Sequence, residues 1–153
     1  MNSLDMLVVE DNPGDVRLIR EAFEILERPC SLTVTSTGEE AIEKARKHAY
    51  DLVFLDLLLP GIDGFEVIRA LRNQDESADL LIVVLTGVHS EQMIQQAYAA
   101  GANCCLTKPP DFDSLISLLR SATRFWSQVA HPPRKESVME GAREESRRAS
   151  GGA

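Results

Sequence analysis

The most informative stretch of this chain is LVFLDLLLPGIDG, residues 52–64. It opens with an unbroken apolar run of four residues, and Asp56 follows directly after that run. Pro60, Gly61 and Gly64 come within the next eight positions. An ionisable group in this position lies where a buried strand leaves the core, and a doubly wound parallel sheet places its ligands at that end of its strands. The stretch therefore predicts a functional carboxylate at Asp56.

Three other apolar runs also end on reactive polar side chains. These are Glu10 and Asp11 after residues 7–9, Thr86 after residues 81–85, and Lys108 after residues 104–107. The separations are 45 residues from Asp11 to Asp56, 30 from Asp56 to Thr86 and 22 from Thr86 to Lys108. Each is long enough for a crossover helix and a return strand. The pattern predicts one site assembled from four strand ends.

The composition is that of a packed domain. The chain has 153 residues, of which 44% are hydrophobic, so we expect a globular core rather than disorder. No apolar stretch approaches the roughly 20 residues that span a bilayer, and the N-terminus lacks the pattern of a secretory signal. The cytosol is therefore the expected compartment, without membrane contact.

The cysteines and the charge argue against three further classes of protein. The chain has three cysteines, Cys30, Cys104 and Cys105, and this odd count suits reduced thiols better than a disulfide framework. No histidine joins them at the spacing of a zinc site. The net charge is −8 and aromatic residues make up 5%. Direct nucleic-acid binding, which needs a basic face and stacking rings, is therefore not expected.

Apolar runs alternate with helical patterns along the chain. Five β-branched-rich runs predict strands at about residues 6–10, 32–35, 52–56, 81–86 and 104–108. Five amphipathic patterns predict helices, the last from near Asp111 to about Val129. The alternation predicts an α/β fold: a flavodoxin-like, doubly wound, five-stranded parallel sheet of order 2-1-3-4-5 with five helices. That order brings Glu10, Asp11 and Asp56 together.

The C-terminal part differs in composition from the rest. Residues 134–148 hold five Lys/Arg and four Asp/Glu but few apolar side chains. We therefore expect residues 1–130 to form one domain and residues 131–153 a disordered, mixed-charge tail. A short amphipathic helix at residues 136–148 is the alternative.

The three carboxylates at the predicted sheet edge need a partner. Two like charges about 4 Å apart repel by roughly 4 kcal/mol at an effective dielectric of 20, so one is protonated or a cation neutralises them. Oxygen ligands near a phosphate site suit Mg²⁺. The alternative for Glu10 and Asp11 is a loop that caps the first helix. Lys108 is otherwise a surface lysine at a turn, and Thr86 an ordinary strand residue.

Taken together, these motifs resemble the receiver domain of bacterial two-component response regulators. The resemblance covers about residues 5–128. It rests on short motifs in family-like order and spacing: Glu10-Asp11-Asn12, Asp56 with Leu59-Pro60-Gly61 and Asp63-Gly64, Thr86-Gly87, Gly101-Ala102-Asn103, and Lys108-Pro109. The entry at residues 11–15 and Arg124-Phe125-Trp126 are similar to small stand-alone receivers associated with phytochrome-type histidine kinases.

The resemblance implies a CheY-like, single-domain response regulator that works in two-component or phosphorelay signalling. Asp56 is then the phospho-acceptor, which attacks the phosphorus of a kinase phosphohistidine. The implied cofactor is Mg²⁺, held directly by Asp11, Asp56 and the backbone carbonyl of Leu58, with Glu10 acting through water. The partners are a sensor histidine kinase and a downstream target or phosphotransfer protein.

The remaining implied roles concern Lys108 and Thr86. Both contact the phosphoryl oxygens, and the Lys108–Pro109 peptide is cis. Such a chain catalyses its own Mg²⁺-dependent phosphorylation and dephosphorylation but is not a turnover enzyme. Lysine, hydroxyl and metal suffice around one nucleophile, because phosphoryl transfer depends on positioning and charge neutralisation.

The sequence departs from the family at three positions. Cys105 stands where receivers commonly carry Tyr or Phe, and Tyr98 does not replace that aromatic because it falls on the fourth helix. We therefore expect no usual aromatic switch, and an inert buried Cys105 rather than a redox one. Leu58 and Val88 cannot orient an attacking water, which predicts a long-lived acyl phosphate.

Several alternatives stay open. Phe125 and Trp126 either pack against the end of their own domain or form an apolar patch for a homodimer or a partner. A phosphorylation-independent interaction module is the second functional class, favoured by Cys105. A Mg²⁺-dependent phosphohydrolase is the third, but Leu57 and Leu58 supply no general acid.

Overall fold

The computed structural model describes residues 3–26, 29–87 and 90–128, with the side chains of residues 126–128 left out. The predictions for Val88, for Trp126 and for the tail at residues 131–153 fall outside these residues. Strands and helices alternate strictly. Their bounds are β1 Leu4–Val9, α1 Pro13–Ile25, β2 Cys30–Thr35, α2 Gly38–Lys47, β3 Leu52–Leu55, α3 Gly64–Asn73, β4 Leu81–Thr86, α4 Glu91–Ala100, β5 Cys104–Thr107 and α5 Phe112–Gln128.

The five strands form one parallel sheet in the order β2-β1-β3-β4-β5, which confirms the predicted fold. In the register, Val9 at the end of β1 lies beside Leu55 at the end of β3. The Asp56 amide still donates to the Val9 carbonyl at 3.1 Å. The side chains that follow these two strands therefore leave the sheet next to each other.

Apolar side chains alternate between the two faces of the sheet, as the pleat of a strand requires. Val53 and Leu55 join the core beneath α2, α3 and α4. Leu52 and Phe54 join the core beneath α1 and α5. All four are at most 1% exposed, which is why β3 reads as an unbroken apolar run.

The first four helices each begin after a capping side chain. The caps are Asn12, Thr37, Asp63 and Ser90, and each such cap typically contributes about 1 kcal/mol. The Asn12 cap matters for the site, because its Oδ1 accepts from the Gly14 and Asp15 amides at 2.9 and 3.1 Å. It fixes the first turn of α1 at the carboxyl edge of the sheet.

Arg72 at the end of α3 is a structural residue that the sequence analysis missed. Its half-buried guanidinium donates to the carbonyl oxygens of Gly101 at 2.9 Å, Ala78 at 2.9 Å and Leu80 at 2.5 Å, and to Asn103 Oδ1 at 2.6 Å. Burial lowers the pKa of Arg72. The side chain ties α3 to the turn after α4, where Gly101 has φ 121°.

Two further findings concern the helices and the cysteines of the described ranges. None of the helices in the described ranges has the length and apolar character that crossing a bilayer requires. The three cysteines all lie in described strands, and none forms a disulfide.

Candidate functional site

Three strand ends bring charged side chains together at the carboxyl edge of the sheet. Lys108, after β5, places its Nζ 2.6 Å from Glu10 Oε2 and 2.8 Å from Asp56 Oδ2. Only 17% of the Lys108 side chain is exposed, against 3% for Glu10 and 10% for Asp56. The structure therefore buries an ammonium between two carboxylates that are 46 residues apart in the chain.

The other oxygen of Asp56 is also held. Asp56 Oδ1 accepts from the Thr86 hydroxyl at 3.3 Å and from the Leu58 amide at 3.1 Å. At Gly87 a Cβ would meet no atom within 4 Å, so the space beside Thr86 is open. The carboxylate is thus fixed in one orientation, with open space next to it.

The loop after Asp56 is held by a close backbone approach at Gly64. The Gly64 amide donates to the Leu57 carbonyl at 3.1 Å, and a Cβ at Gly64 would lie 2.6 Å from Leu57 Cα. Only glycine fits here without a shift of backbone. The glycine in the Asp63-Gly64 motif therefore positions the chain that leaves the site.

Asp15 belongs to the cluster, although the sequence analysis treated it only as part of the helix entry. Its Oδ2 lies 2.9 Å from Lys108 Nζ, and 36% of its side chain is exposed. A signal for this contact exists in the sequence. Asp15 lies in the first turn of a helix that starts directly after β1, so it is at the same sheet edge as Glu10.

Asp11 behaves differently from its neighbours. It is exposed, and it is not among the three carboxylates that contact Lys108. The Glu10 carboxylate turns inward and also accepts from the Asn12 amide at 3.1 Å. Of the residues predicted for the site, the structure joins Glu10, Asp56 and Lys108 directly, with Thr86 on Asp56.

The charges of the cluster bear on whether a metal ion fits. Within the residues that the structure describes, no group of three or more His, Cys, Asp or Glu side chains is arranged to hold a metal. The Lys108 ammonium lies between the carboxylates instead. Three carboxylates share this one cation, however, so an excess of negative charge is left beside hard oxygen donors. That donor chemistry fits a divalent cation such as Mg²⁺.

Burial shifts two pKa values in the cluster. It raises the pKa of Glu10 to about 7, against the opposing effect of Lys108, and the charge of Asp56 adds to the rise. Burial alone lowers the pKa of Lys108, but hydrogen bonds to Asp56, Glu10 and Asp15 raise it above its ordinary value. Lys108 therefore stays charged at neutral pH, whereas Glu10 gains or loses its proton near pH 7.

The raised pKa of Glu10 predicts a pH dependence of stability. Because the folded pKa lies above the ordinary value of 4.5, this contribution is fully present below pH 4.5 and is lost as the pH rises toward 7. The unfolding free energy of wild type should therefore decline by up to about 3 kcal/mol over this pH range because of Glu10, and we expect Glu10→Gln to lack that part of the decline. Denaturant titrations from pH 4.5 to 8 in the presence of EDTA measure the unfolding free energy. Glu24→Gln is the control, because Glu24 lies on the exposed surface of α1. An equal slope in Glu10→Gln and wild type would contradict it.

The Lys108–Pro109 peptide corrects one implication of the family resemblance. It is trans, since the described residues contain no cis peptide bond. The trans form is the more stable one for most X–Pro peptides. Lys108 reaches its three carboxylates in this form.

Cys105 and Tyr98 lie against each other on the α4–β5 side. Tyr98 is on α4, as predicted, and its hydroxyl accepts from the Cys105 amide at 3.1 Å. Burial raises the pKa of the Cys105 thiol, as it does for Cys104. A thiol with a raised pKa is poorly nucleophilic, which favours the inert role over the redox role.

Comparison with known proteins identifies the family to which this chain belongs. The model of the response regulator receiver domain matches residues 6–120. The transcriptional regulatory protein TcrA of Mycobacterium tuberculosis is 32% identical over 136 residues, which cover 89% of this chain and 52% of TcrA. The chain thus spans about half the length of TcrA and of other curated relatives that it matches.

The fold also resembles those of solved structures. The phosphorylated cyanobacterial phytochrome response regulator RcpA is 29% identical, with a TM-score of 0.80 over 87% of this chain and 100% of RcpA. The receiver domain of the sensor histidine kinase PA1611 from Pseudomonas aeruginosa is 28% identical, with a TM-score of 0.67 over 78% of this chain and 97% of that domain. That structure has a magnesium ion coordinated in its active-site cleft.

Proposed function

Since this chain belongs to the response regulator receiver domain family, we propose that Asp56 accepts a phosphoryl group from the phosphohistidine of a sensor histidine kinase. Members of the family act in two-component signalling. The observation that carries the proposal is the environment of Asp56. Its Oδ2 lies 2.8 Å from the Lys108 ammonium, and its Oδ1 accepts from Thr86 and Leu58.

In the proposed reaction an oxygen of Asp56 forms a bond to phosphorus while the phosphorus–nitrogen bond of the donor breaks. The nitrogen keeps the bonding electron pair. Lys108 neutralises charge that develops on the phosphoryl oxygens, and the Thr86 hydroxyl donates to one of them. Both groups already contact Asp56 and therefore lie close to the position that the phosphoryl oxygens take.

The proposed metal ligands are Asp11 and Asp56, with the Leu58 carbonyl, and Glu10 contributing through water. When bound, Mg²⁺ supplies positive charge that offsets the carboxylates and the incoming phosphoryl group. The negative excess around Lys108 and the Mg²⁺ in the PA1611 receiver support this assignment. Asp11 is exposed and therefore able to turn toward an ion at low cost.

We propose a phytochrome-type kinase as donor, because RcpA, which the fold resembles, is a phytochrome response regulator. Output is then a contact with a downstream protein or phosphotransfer partner, with residues 1–130 as the signalling domain. Self-association through Phe125 is part of the proposal, since its side chain is 48% exposed. A cytosolic location without membrane contact is also part of the proposal, and the net charge of −8 argues against direct nucleic-acid contact.

One incubation separates the proposed function from its alternatives. The full-length protein is mixed with acetyl phosphate and Mg²⁺, and its intact mass and the released phosphate are followed. We expect a stable gain of one phosphoryl group, without turnover. No gain would favour the phosphorylation-independent interaction module, which Cys105 supports. Continuous release of phosphate would instead indicate a phosphohydrolase.

The side chain of Leu58 predicts a long lifetime for the phosphorylated state. It is 59% exposed at the mouth of the site and cannot hydrogen-bond an attacking water. We expect Leu58→Asn to shorten the half-life roughly tenfold, which corresponds to one hydrogen bond gained in the transition state. The decay of phosphorylated protein after donor removal measures this, with apolar Leu58→Met as control. A half-life in Leu58→Asn equal to that of wild type would rule the explanation out.

A further inference from the structure

All three hydrogens of the Lys108 ammonium are already engaged. Nζ lies 2.6 Å from Glu10, 2.8 Å from Asp56 and 2.9 Å from Asp15, and an ammonium has three donors and no more. A phosphoryl oxygen can therefore accept a hydrogen bond from Lys108 only if one of these three hydrogen bonds to a carboxylate breaks. The site must contain an exchangeable partner.

The three carboxylates differ in how readily they can leave. Glu10 is 3% exposed and is also held by the Asn12 amide. The Asp56 carboxyl group stays in the site, because the proposed reaction bonds it to the phosphoryl group and because Thr86 and Leu58 hold it. Asp15 is 36% exposed, so its carboxylate returns to water at the lowest desolvation cost.

We propose that Asp15 is a positioning residue for Lys108. In the unphosphorylated protein Asp15 accepts a hydrogen bond from the Lys108 ammonium, and on phosphorylation a phosphoryl oxygen replaces Asp15 as the acceptor of that hydrogen bond. The proposal rests on the proposed function of Asp56. In the exchange, the hydrogen bond from Nζ to Asp15 breaks and one from Nζ to a phosphoryl oxygen forms. No proton moves, because Lys108 stays an ammonium and Asp15 a carboxylate. Asp15 thereby orients Lys108 in the unphosphorylated protein and competes with the phosphoryl group for it.

The exchange also has a conformational consequence. Asp15 lies in the first turn of α1, next to its Asn12 cap. Loss of the Lys108 contact removes one interaction between this turn and the segment after β5. Phosphorylation then changes the environment of the Asp15 carboxyl group, although Asp15 takes no part in bond making.

The test compares Asp15→Asn with wild type in the binding of beryllofluoride, a phosphoryl mimic, in the presence of Mg²⁺. Asparagine keeps the size of the side chain but is a weaker acceptor for the ammonium. We expect three- to fivefold tighter binding, the range of a partly exposed ion pair. Glu24→Gln, which removes the same charge from the exposed surface of α1, should bind as wild type does. Asp15→Ser serves as a second variant if Asp15→Asn folds poorly.

A spectroscopic readout separates this exchange from a merely structural role. In wild type, the carboxyl carbon signal of Asp15 should move to that of a solvated carboxylate on beryllofluoride binding, while the signal of Glu24 stays in place. Equal or weaker binding by both Asp15 variants, or an unmoved Asp15 signal, would overturn the inference alone. If wild type takes up neither the mimic nor a phosphoryl group, the proposed function fails and the inference falls with it.

Discussion

Lys108→Met is expected to lose roughly 3 kcal/mol of unfolding free energy at pH 8 in metal-free buffer, because it strands two buried carboxylates without their cation. Glu10 and Asp56 are 3% and 10% exposed, so water cannot replace the ammonium. Part of the loss should return near pH 5.5, where Glu10 is protonated. Part should also return with Mg²⁺, which binds the folded state and supplies the missing charge.

The same variant should phosphorylate at least 100-fold more slowly, since it lacks a donor that stabilises charge in the transition state. Denaturant titration and intact-mass time courses measure the two effects. Lys47→Met is the matched control, because it removes a lysine whose side chain is 71% exposed on α2. Surface changes of that kind stay within about 0.5 kcal/mol. Stability and rates near those of wild type in Lys108→Met would refute the role of the buried ammonium.

Asp56→Asn is expected to take up no phosphoryl group from acetyl phosphate or a kinase. An amide is not a nucleophile for phosphorus, whereas it still accepts the hydrogen bonds from Thr86 and Leu58 through its oxygen. The fold should therefore survive while the chemistry is lost. Intact-mass measurements at several times after addition of donor and Mg²⁺ follow the uptake.

Asp51→Asn is the matched control for Asp56→Asn, because it makes the same substitution at the other end of β3. Asp51 precedes β3 and Asp56 follows it, so the two aspartates lie at opposite ends of one buried run. Asp51 accepts from the Asp5 amide at 2.8 Å, far from the Lys108 cluster along the strand. Asp51→Asn should phosphorylate as wild type does. Uptake by Asp56→Asn would show that the acceptor lies elsewhere.

The sheet and its order were predictable because buried parallel strands read as unbroken apolar runs. Residues 52–55 and 81–86 form β3 and β4 within one residue of the predicted bounds. β1 and β2 begin two residues earlier than predicted, since Leu4 pairs with Cys30 and this end of the ladder has no apolar run to mark it. The polar residues Glu10, Asp56 and Lys108 fall just outside their strands.

The site was predictable only as far as strand ends determine it. The short distances from Lys108 to Glu10 and Asp56 follow from the ends of β1, β3 and β5, which lie at the same edge of one sheet. The contact with Asp15 depends on the rotation of the first turn of α1, and periodicity does not determine that rotation. The interactions of Arg72 were hidden for a different reason, because three of its four acceptors are backbone carbonyls.

The family resemblance predicted more of the protein than single residues did, but one of its implications was wrong. It pointed to the receiver domain that matches residues 6–120, yet it implied a cis Lys108–Pro109 peptide, which the structure shows as trans. The roles of Asp11 and Leu58 toward a metal are still predictions.

The most direct test of the account is to locate the phosphoryl group. Wild-type protein is incubated with acetyl phosphate and Mg²⁺, treated with borohydride to convert any acyl phosphate to an alcohol, and mapped by peptide mass spectrometry. We expect reduction at Asp56 alone, and none when EDTA replaces Mg²⁺. Reduction at another carboxylate, or no reduction at any position, would contradict it.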